Sequence, residues 1–198
     1  DYNACLNLGG FANCSMSKSG DVIAYDICAV NTVMNSLAEK KGMPFDTAGK
    51  LAKNGTLIPE LFSDLSSLEF YKITSPKSLG IEWVNSIISP LLTKFNDHKV
   101  ENILHTYARH VSLEISKNFS KNQHILVTGG GAKNLFLMSL LKTDCLATLF
   151  LPEEKLIDFK EALIFGFLGV LRVRNEVNCL ATVTGASENH SSGNIFYS

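Results

Sequence analysis

A short apolar strand, His124-Ile125-Leu126-Val127-Thr128, runs straight into Gly129-Gly130-Gly131 and then into the helical pattern Ala132 to Leu141. Glycine lets a backbone turn sharply and approach a ligand with no Cβ in the way. The first turn of the following helix carries unpaired N–H groups and a partial positive charge. A strand–glycine–helix junction is therefore a ready site for an anion or a nucleotide. It is not a Walker loop, because no Gly-Lys-Ser/Thr follows. It is not a dinucleotide fingerprint, because Asn134 stands where the third glycine belongs. Taken alone, the motif fits a ligand-free tight turn equally well.

The chain of 198 residues suits one domain, or a large and a small lobe, and 45% apolar residues suffice for a sizeable core. A net charge of −1, with no basic block, argues against a nucleic-acid surface. No run of eighteen apolar residues suggests a membrane span. The chain opens on Asp1-Tyr2-Asn3 without Met or a signal-peptide pattern, so it is expected to be a fragment whose first part is absent. Five cysteines at 5, 14, 28, 145 and 179 form no Cys-x-x-Cys pair and read as reduced, mostly buried thiols of a cytoplasmic protein. His98, His105 and His110 lie on one helical stretch without ligand spacing. They are expected on solvated faces, and no metal site is assigned.

Strands are expected at Ala4 to Leu8, Phe11 to Met16 and Val22 to Ile27, with hairpin turns at Gly9-Gly10 and 17–20. A helical insert then occupies residues 31–120. Its helices are expected over Asn31 to Lys41, Asp46 to Lys53, Ile58 to Phe70, Ile81 to Phe95 with a kink at Pro90, and Val100 to Phe119. The last third alternates strand Ile125 to Thr128, helix Asn134 to Leu141, strand Leu146 to Leu151 and helix Phe159 to Arg172. That order implies parallel pairing through a right-handed crossover. The run Ala162 to Leu171 is apolar enough to be core, and the polar tail from Thr184 to Gly193 is expected to be poorly ordered. Three meander strands, a helical insert and β-α-β-α give an α/β fold: a ribonuclease H-like lobe of the actin, Hsp70 and sugar-kinase type, with a mixed sheet flanked by helices. A generic doubly wound domain is the alternative.

Asp26, expected at the end of the third strand, suits a general base or a Mg²⁺ contact, although taken alone a strand-capping surface carboxylate is the commoner reading. Gly9 and Gly10 offer N–H groups to a phosphate or simply close a hairpin. Lys77, in Pro76-Lys77-Ser78-Leu79-Gly80, offers a cation to an anionic substrate, although solvated lysines in polar loops are the norm. Glu161 is read at the start of the last long helix, where the macrodipole alone explains an acid.

In order, these segments resemble the C-terminal lobe of the 1,6-anhydro-N-acetylmuramic acid kinase family. That family's Asn-Ile-Gly-Gly-Ile-Ala-Asn appears as Asn7-Leu8-Gly9-Gly10-Phe11-Ala12-Asn13. Its aromatic-Asp-Thr-Gly-Pro-x-Asn appears as Tyr25-Asp26-Ile27-Cys28-Ala29-Val30-Asn31, with Ile27-Cys28-Ala29 replacing the family turn. Its Pro-Lys-Ser-Thr-Gly-x-Glu stands as Pro76 to Glu82, its Thr-Gly-Gly-Gly-x-x-Asn as Thr128 to Asn134, its Glu-Ala-x-x-Phe as Glu161 to Phe165, and its Val-Thr-Gly-Ala as Val183 to Ala186. The family's phosphate loop, Ser-Gly-Thr-Ser-x-Asp-Gly, is missing.

The resemblance implies an ATP- and Mg²⁺-dependent kinase of cell-wall recycling in the cytoplasm. It would open the anhydro bridge with water and phosphorylate the freed O6. Asp26 would be the general base. Gly9, Gly10, Gly129, Gly130, Gly131 and Asn134 would meet ATP, and Asn31 and Glu161 the sugar. The implied partners are the small sugar, ATP and an N-terminal lobe outside this chain, with a homodimer left open and neither nucleic acid nor membrane expected. Two rivals stand beside this reading: a non-catalytic nucleotide- or sugar-binding lobe, and a kinase for another small sugar or acid.

Overall fold

The computed structural model describes residues 1–196. Five strands, β1 (Ala4–Leu8), β2 (Phe11–Lys18), β3 (Asp21–Ala29), β4 (His124–Thr128) and β5 (Thr148–Phe150), form one sheet in the order β3-β2-β1-β4-β5. The first three are the expected antiparallel meander. β4 runs parallel to both β1 and β5. The β2–β3 turn is tighter than expected. Ser19 and Gly20 both take positive φ (54° and 93°), so β2 extends to Lys18.

The insert holds α1 (Asn31–Glu39), α2 (Lys50–Lys53), α3 (Pro59–Ser66), α4 (Ile81–Trp83), α5 (Ser89–Thr93) and α6 (Val100–Ser116). The helix expected over Asp46 to Lys53 is a 3-10 turn plus a single α turn, because Ala48 and Gly49 sit at φ 56° and 72°. The Ile58 to Phe70 helix stops at Ser66 and resumes as a 3-10 turn over Glu69–Lys72. Around Pro90 the expected kink is a π turn over Val84–Ile88: proline has no N–H for the carbonyl of Ser86, and the helix widens there.

One face of the sheet carries Leu6, Leu8, Ala12, Ile125 and Val127 into a core shared with α1, α6 and α7 (Leu135–Asp144). Tyr107 of α6 is fully buried, and its hydroxyl donates to the carbonyl of Ala29 at 2.9 Å. His110 is also fully buried and His105 half-buried, against the expectation of solvated faces. Cys14, Cys28 and Cys145 are buried and no cysteine is bridged.

α8 (Glu154–Val173) begins five residues earlier than expected. It is not core within this chain. Leu156, Lys160 and Ile164, spaced four apart, border a cleft with the other face of the sheet. Phe159, Leu163, Phe165 and Phe167 are exposed, Phe165 by 71%. An apolar run such as Ala162 to Leu171 needs cover on every side, yet no residue of α8 is buried, and even Leu156 and Ile164 are exposed. The tail is also more regular than expected: α9 (Ala181–Thr184) and the segment after it are enclosed by a bridge pairing Cys179 with His190.

Candidate active site

The triple-glycine turn divides its labour. Gly129 adopts φ 86°, ψ 163°, a region reserved for glycine. A Cβ there would lie 2.7 Å from the Leu8 carbonyl oxygen, and one at Gly131 would lie 2.8 Å from Leu8 Cβ. Both residues are therefore needed for packing against the end of β1. Only Gly130 fronts open space, its nearest neighbour being Asn31 Nδ2 at 3.8 Å, and its φ lies outside the left-handed region. Asn134 caps α7, accepting from Leu137 N at 3.0 Å.

Asn31 ties three motifs together. Its Nδ2 donates to the Leu8 carbonyl at 3.2 Å, and its backbone N–H donates to the Gly9 carbonyl at 3.2 Å. Val30 and Thr32 donate to the Gly10 carbonyl at 2.8 and 3.2 Å. The Gly9-Gly10 hairpin thus holds the start of α1 beside the triple glycine. The start of α1 and the triple-glycine turn border a cleft of about 300 Å³ lined by Asn31, Met34, Phe45, Asp46, Gly130 and Asn134, whereas Gly9 and Gly10 do not line it. Asp46 is buried there and caps α2, accepting from Leu51 and Ala52 N–H at 2.8 and 2.9 Å.

Asp26 is not at the strand end. β3 continues to Ala29, and a register shift opposite Ala12 and Asn13 leaves Ile27 as the extra residue of a bulge. Bulges re-aim neighbouring side chains. Here Ile27, Cys28 and Ala29 turn into the core, and half-buried Asp26 lines a second cleft. The departure from the family turn is therefore packed inward.

A loop from the insert grips Asp26. The Asp26 N–H donates to the Lys77 carbonyl at 2.9 Å. Leu79 N–H and Ser78 Oγ donate to Asp26 Oδ2 at 2.8 and 3.2 Å. Lys77 does not project as a free cation. Its Nζ donates to the Phe70 carbonyl at 3.1 Å and lies 4.4 Å from the centroid of the Phe70 ring, and desolvation draws its pKa below the ordinary lysine value. The opposite wall is α9 with Gly185. The cleft measures about 550 Å³.

The register links the two regions. Asp26 pairs with Asn13, Asn13 with Asn7, and Asn7 with Thr128, so four strands set a polar row across one face of the sheet. Lys160 of α8 closes that row, its Nζ donating to Asn7 Oδ1 and, at 2.9 Å, to Thr128 Oγ1. Burial pulls its pKa below the usual lysine value, with Glu161 opposing. Sequence reasoning missed Lys160. Its signal was a lone cation in line with apolar Leu156 and Ile164, four residues to either side. Glu161 itself lies in the second turn of α8 rather than at its start, is exposed, and lines neither the Asp26 nor the triple-glycine cleft.

The sequence profile of the family described as anhydro-N-acetylmuramic acid kinase matches residues 1–198. The chain belongs to that family. Among its curated relatives is the anhydro-N-acetylmuramic acid kinase of Actinobacillus pleuropneumoniae serotype 5b, 36% identical over 205 residues. That match covers 96% of this chain and 55% of the relative. The Vibrio cholerae serotype O1 kinase is 30% identical, covering 97% and 55%. The chain thus spans a little over half the length of these relatives. Among solved structures, the activator of the 2-hydroxyisocaproyl-CoA dehydratase from Clostridium difficile with bound ADPNP aligns with a TM-score of 0.51 at 14% identity. It covers 90% of this chain and 65% of that one. Component A of the Acidaminococcus fermentans (R)-2-hydroxyglutaryl-CoA dehydratase aligns at 0.50 and 16%, covering 82% and 59%. At these identities the likeness concerns the fold alone, and it bears out the actin- and Hsp70-like lobe expected from strand order. Family segments far apart in sequence meet in space: Asp26, Pro76 to Ser78 and Val183 to Gly185 line one cleft, while Asn31, Gly130, Gly131 and Asn134 line the other.

Proposed function

We propose that this chain is the C-terminal lobe of an ATP-dependent kinase. The enzyme would convert 1,6-anhydro-N-acetylmuramic acid to N-acetylmuramic acid 6-phosphate in cell-wall recycling in the cytoplasm. The observation that carries the reading is the convergence of three family segments, spread over more than 150 residues, around the Asp26 carboxylate. In this scheme Asp26 takes a proton from a water molecule as that water attacks the anomeric carbon. The bond from that carbon to O6 breaks. The freed O6 attacks the γ-phosphorus of ATP, and ADP leaves. A carboxylate fixed through one oxygen suits the first step. Phosphoryl transfer needs positioning and charge neutralisation more than covalent help.

The triple-glycine cleft fits the nucleotide. A Cβ at Gly130 would intrude into the only open side of the turn, Phe45 and Met34 offer apolar surface, and α7 begins alongside. Gly9 and Gly10 would face the β- and γ-phosphates. Glu161 is proposed as a sugar contact only once a second lobe closes over α8. Among the described residues no three His, Cys, Asp or Glu side chains form a metal cage. Magnesium is ordinarily carried by nucleotide phosphates with few protein carboxylates, so this chain's share in holding it would be small.

The test is product analysis with the complete protein, carrying both lobes. Incubation with Mg²⁺-ATP should phosphorylate anhydromuramic acid but neither glucose nor acetate. Phosphorylation of glucose or acetate instead would move the protein to another kinase class. ATP binding without turnover on any of the three would make it a binding module.

A further inference from the structure

The Asp26 carboxylate is held asymmetrically. Oδ2 accepts two hydrogen bonds, from the Leu79 N–H at 2.8 Å and from Ser78 Oγ at 3.2 Å. Among the described residues Oδ1 accepts none. Both donors come from a loop more than fifty residues further along the chain. That loop is pinned at two further points. The Lys77 carbonyl accepts from the Asp26 N–H, and the Lys77 ammonium is fastened to the Phe70 carbonyl and ring. Ser78 is exposed, and its hydroxyl makes no other bond among the described residues. Exposed to water and 3.2 Å long, this bond is a weak one of its kind, and its acceptor is the carboxylate that lines the cleft.

We propose that Ser78, with the Leu79 N–H, is a positioning residue: it locks Asp26 through Oδ2 and leaves Oδ1 as the oxygen that receives the water proton. The inference rests on the reading of Asp26 as general base. A general base works only when its acceptor atom lies within hydrogen-bond reach of the proton it takes, and small misplacements in such sites cost large factors in rate. A carboxylate free to rotate about its Cβ–Cγ bond would spend much of its time misaligned. The loop removes that freedom with one backbone amide, which any substitution but proline keeps, and one hydroxyl, which Ser78→Ala deletes.

The experiment uses the complete kinase with four variants: Ser78→Ala, Ser78→Thr, Asp26→Asn and the double variant Asp26→Asn/Ser78→Ala. Ser78→Ala should lower kcat on anhydromuramic acid about 10-fold, with KM for sugar and for ATP within about 2-fold. Ser78→Thr, which keeps the hydroxyl, should recover most of the rate. The double variant should be no slower than Asp26→Asn alone, because Ser78 acts only through that carboxylate. Thermal denaturation should show all four folded, since Ser78 is on the surface. Unchanged kcat in Ser78→Ala, a Ser78→Thr no better than Ala, or a double variant whose losses multiply would each overturn the proposal, even if Asp26→Asn is slowed as expected. Full turnover by Asp26→Asn would instead remove the underlying base assignment and the proposal with it.

Discussion

Gly129, Gly130 and Gly131 look equivalent in sequence and are not equivalent in structure. A Cβ at 129 or 131 collides with Leu8, whereas one at 130 meets only open cleft. Two outcomes follow. Gly129→Ala combines a glycine-only backbone angle with a 2.7 Å contact, and should destabilise the fold by about 2–4 kcal/mol. Gly130→Val should leave the circular dichroism spectrum and melting temperature nearly unchanged and weaken nucleotide binding well beyond sugar binding. Calorimetry with a non-hydrolysable ATP analogue and, separately, with anhydromuramic acid checks the second. Equal loss of both ligands would mean a damaged fold, and no loss would mean that this turn meets no nucleotide. The triple glycine was legible because glycines after an apolar strand are a local signal. The assignment of each glycine was not, because it depends on how closely β1 lies alongside.

The elements show the same division between local and distant information. The meander, β4 and α6 were readable from alternation and helical spacing, which neighbours in sequence carry. The break at Ala48 and Gly49 was not, since a non-glycine residue at φ 56° is fixed by how the insert folds back on itself. Gly49 itself approaches so closely that a Cβ would collide with Asn134 Oδ1. The grip of Ser78 and Leu79 on Asp26 was invisible for a similar reason: it joins residues more than fifty positions apart. Within α6, His110 is the least expected core residue. It packs against Tyr71 with ring centroids 4.9 Å apart, and neither ring nitrogen has a hydrogen-bond partner among the described residues. Its Nδ1 lies 3.9 Å from Glu114 Oε1, the spacing of an ion pair, but Glu114 already bonds Lys117 at 2.6 Å. Burial, aided by the Lys117 charge, pushes the His110 pKa down to about 3. The imidazole is therefore neutral, and the contact with Glu114 is not an ion pair. The depressed value sets the sign of the pH dependence. As pH falls below about 6.5 the unfolded chain binds a proton that the folded chain refuses, so stability is lost from there toward pH 3. The loss should reach about 2 kcal/mol at pH 5. Urea denaturation at pH 7 and pH 5 should show it, and His110→Leu should remove most of the difference. An unchanged difference in His110→Leu would place the effect elsewhere.

The chain exposes 11411 Å², whereas a folded monomer of its mass exposes about 9,200 Å². Much of the outer face of α8 is apolar and contributes to that excess. The apolar run was legible in sequence, but the described residues bury none of it, so the expected core helix is a surface here. A single lobe should also be catalytically silent: residues 1–198 alone are expected to show no Mg²⁺-dependent phosphorylation of anhydromuramic acid. Measurable turnover by the isolated chain would refute the two-lobe account. The central claim is that the cleft gathered around Asp26 performs the proton transfer that opens the sugar. Its most direct test is the turnover of the complete kinase with Asp26→Asn, measured as ADP release on anhydromuramic acid beside calorimetric nucleotide binding. The account predicts a fall in kcat of roughly 10²–10⁴-fold with ATP affinity nearly intact. Turnover close to the parent's would contradict it.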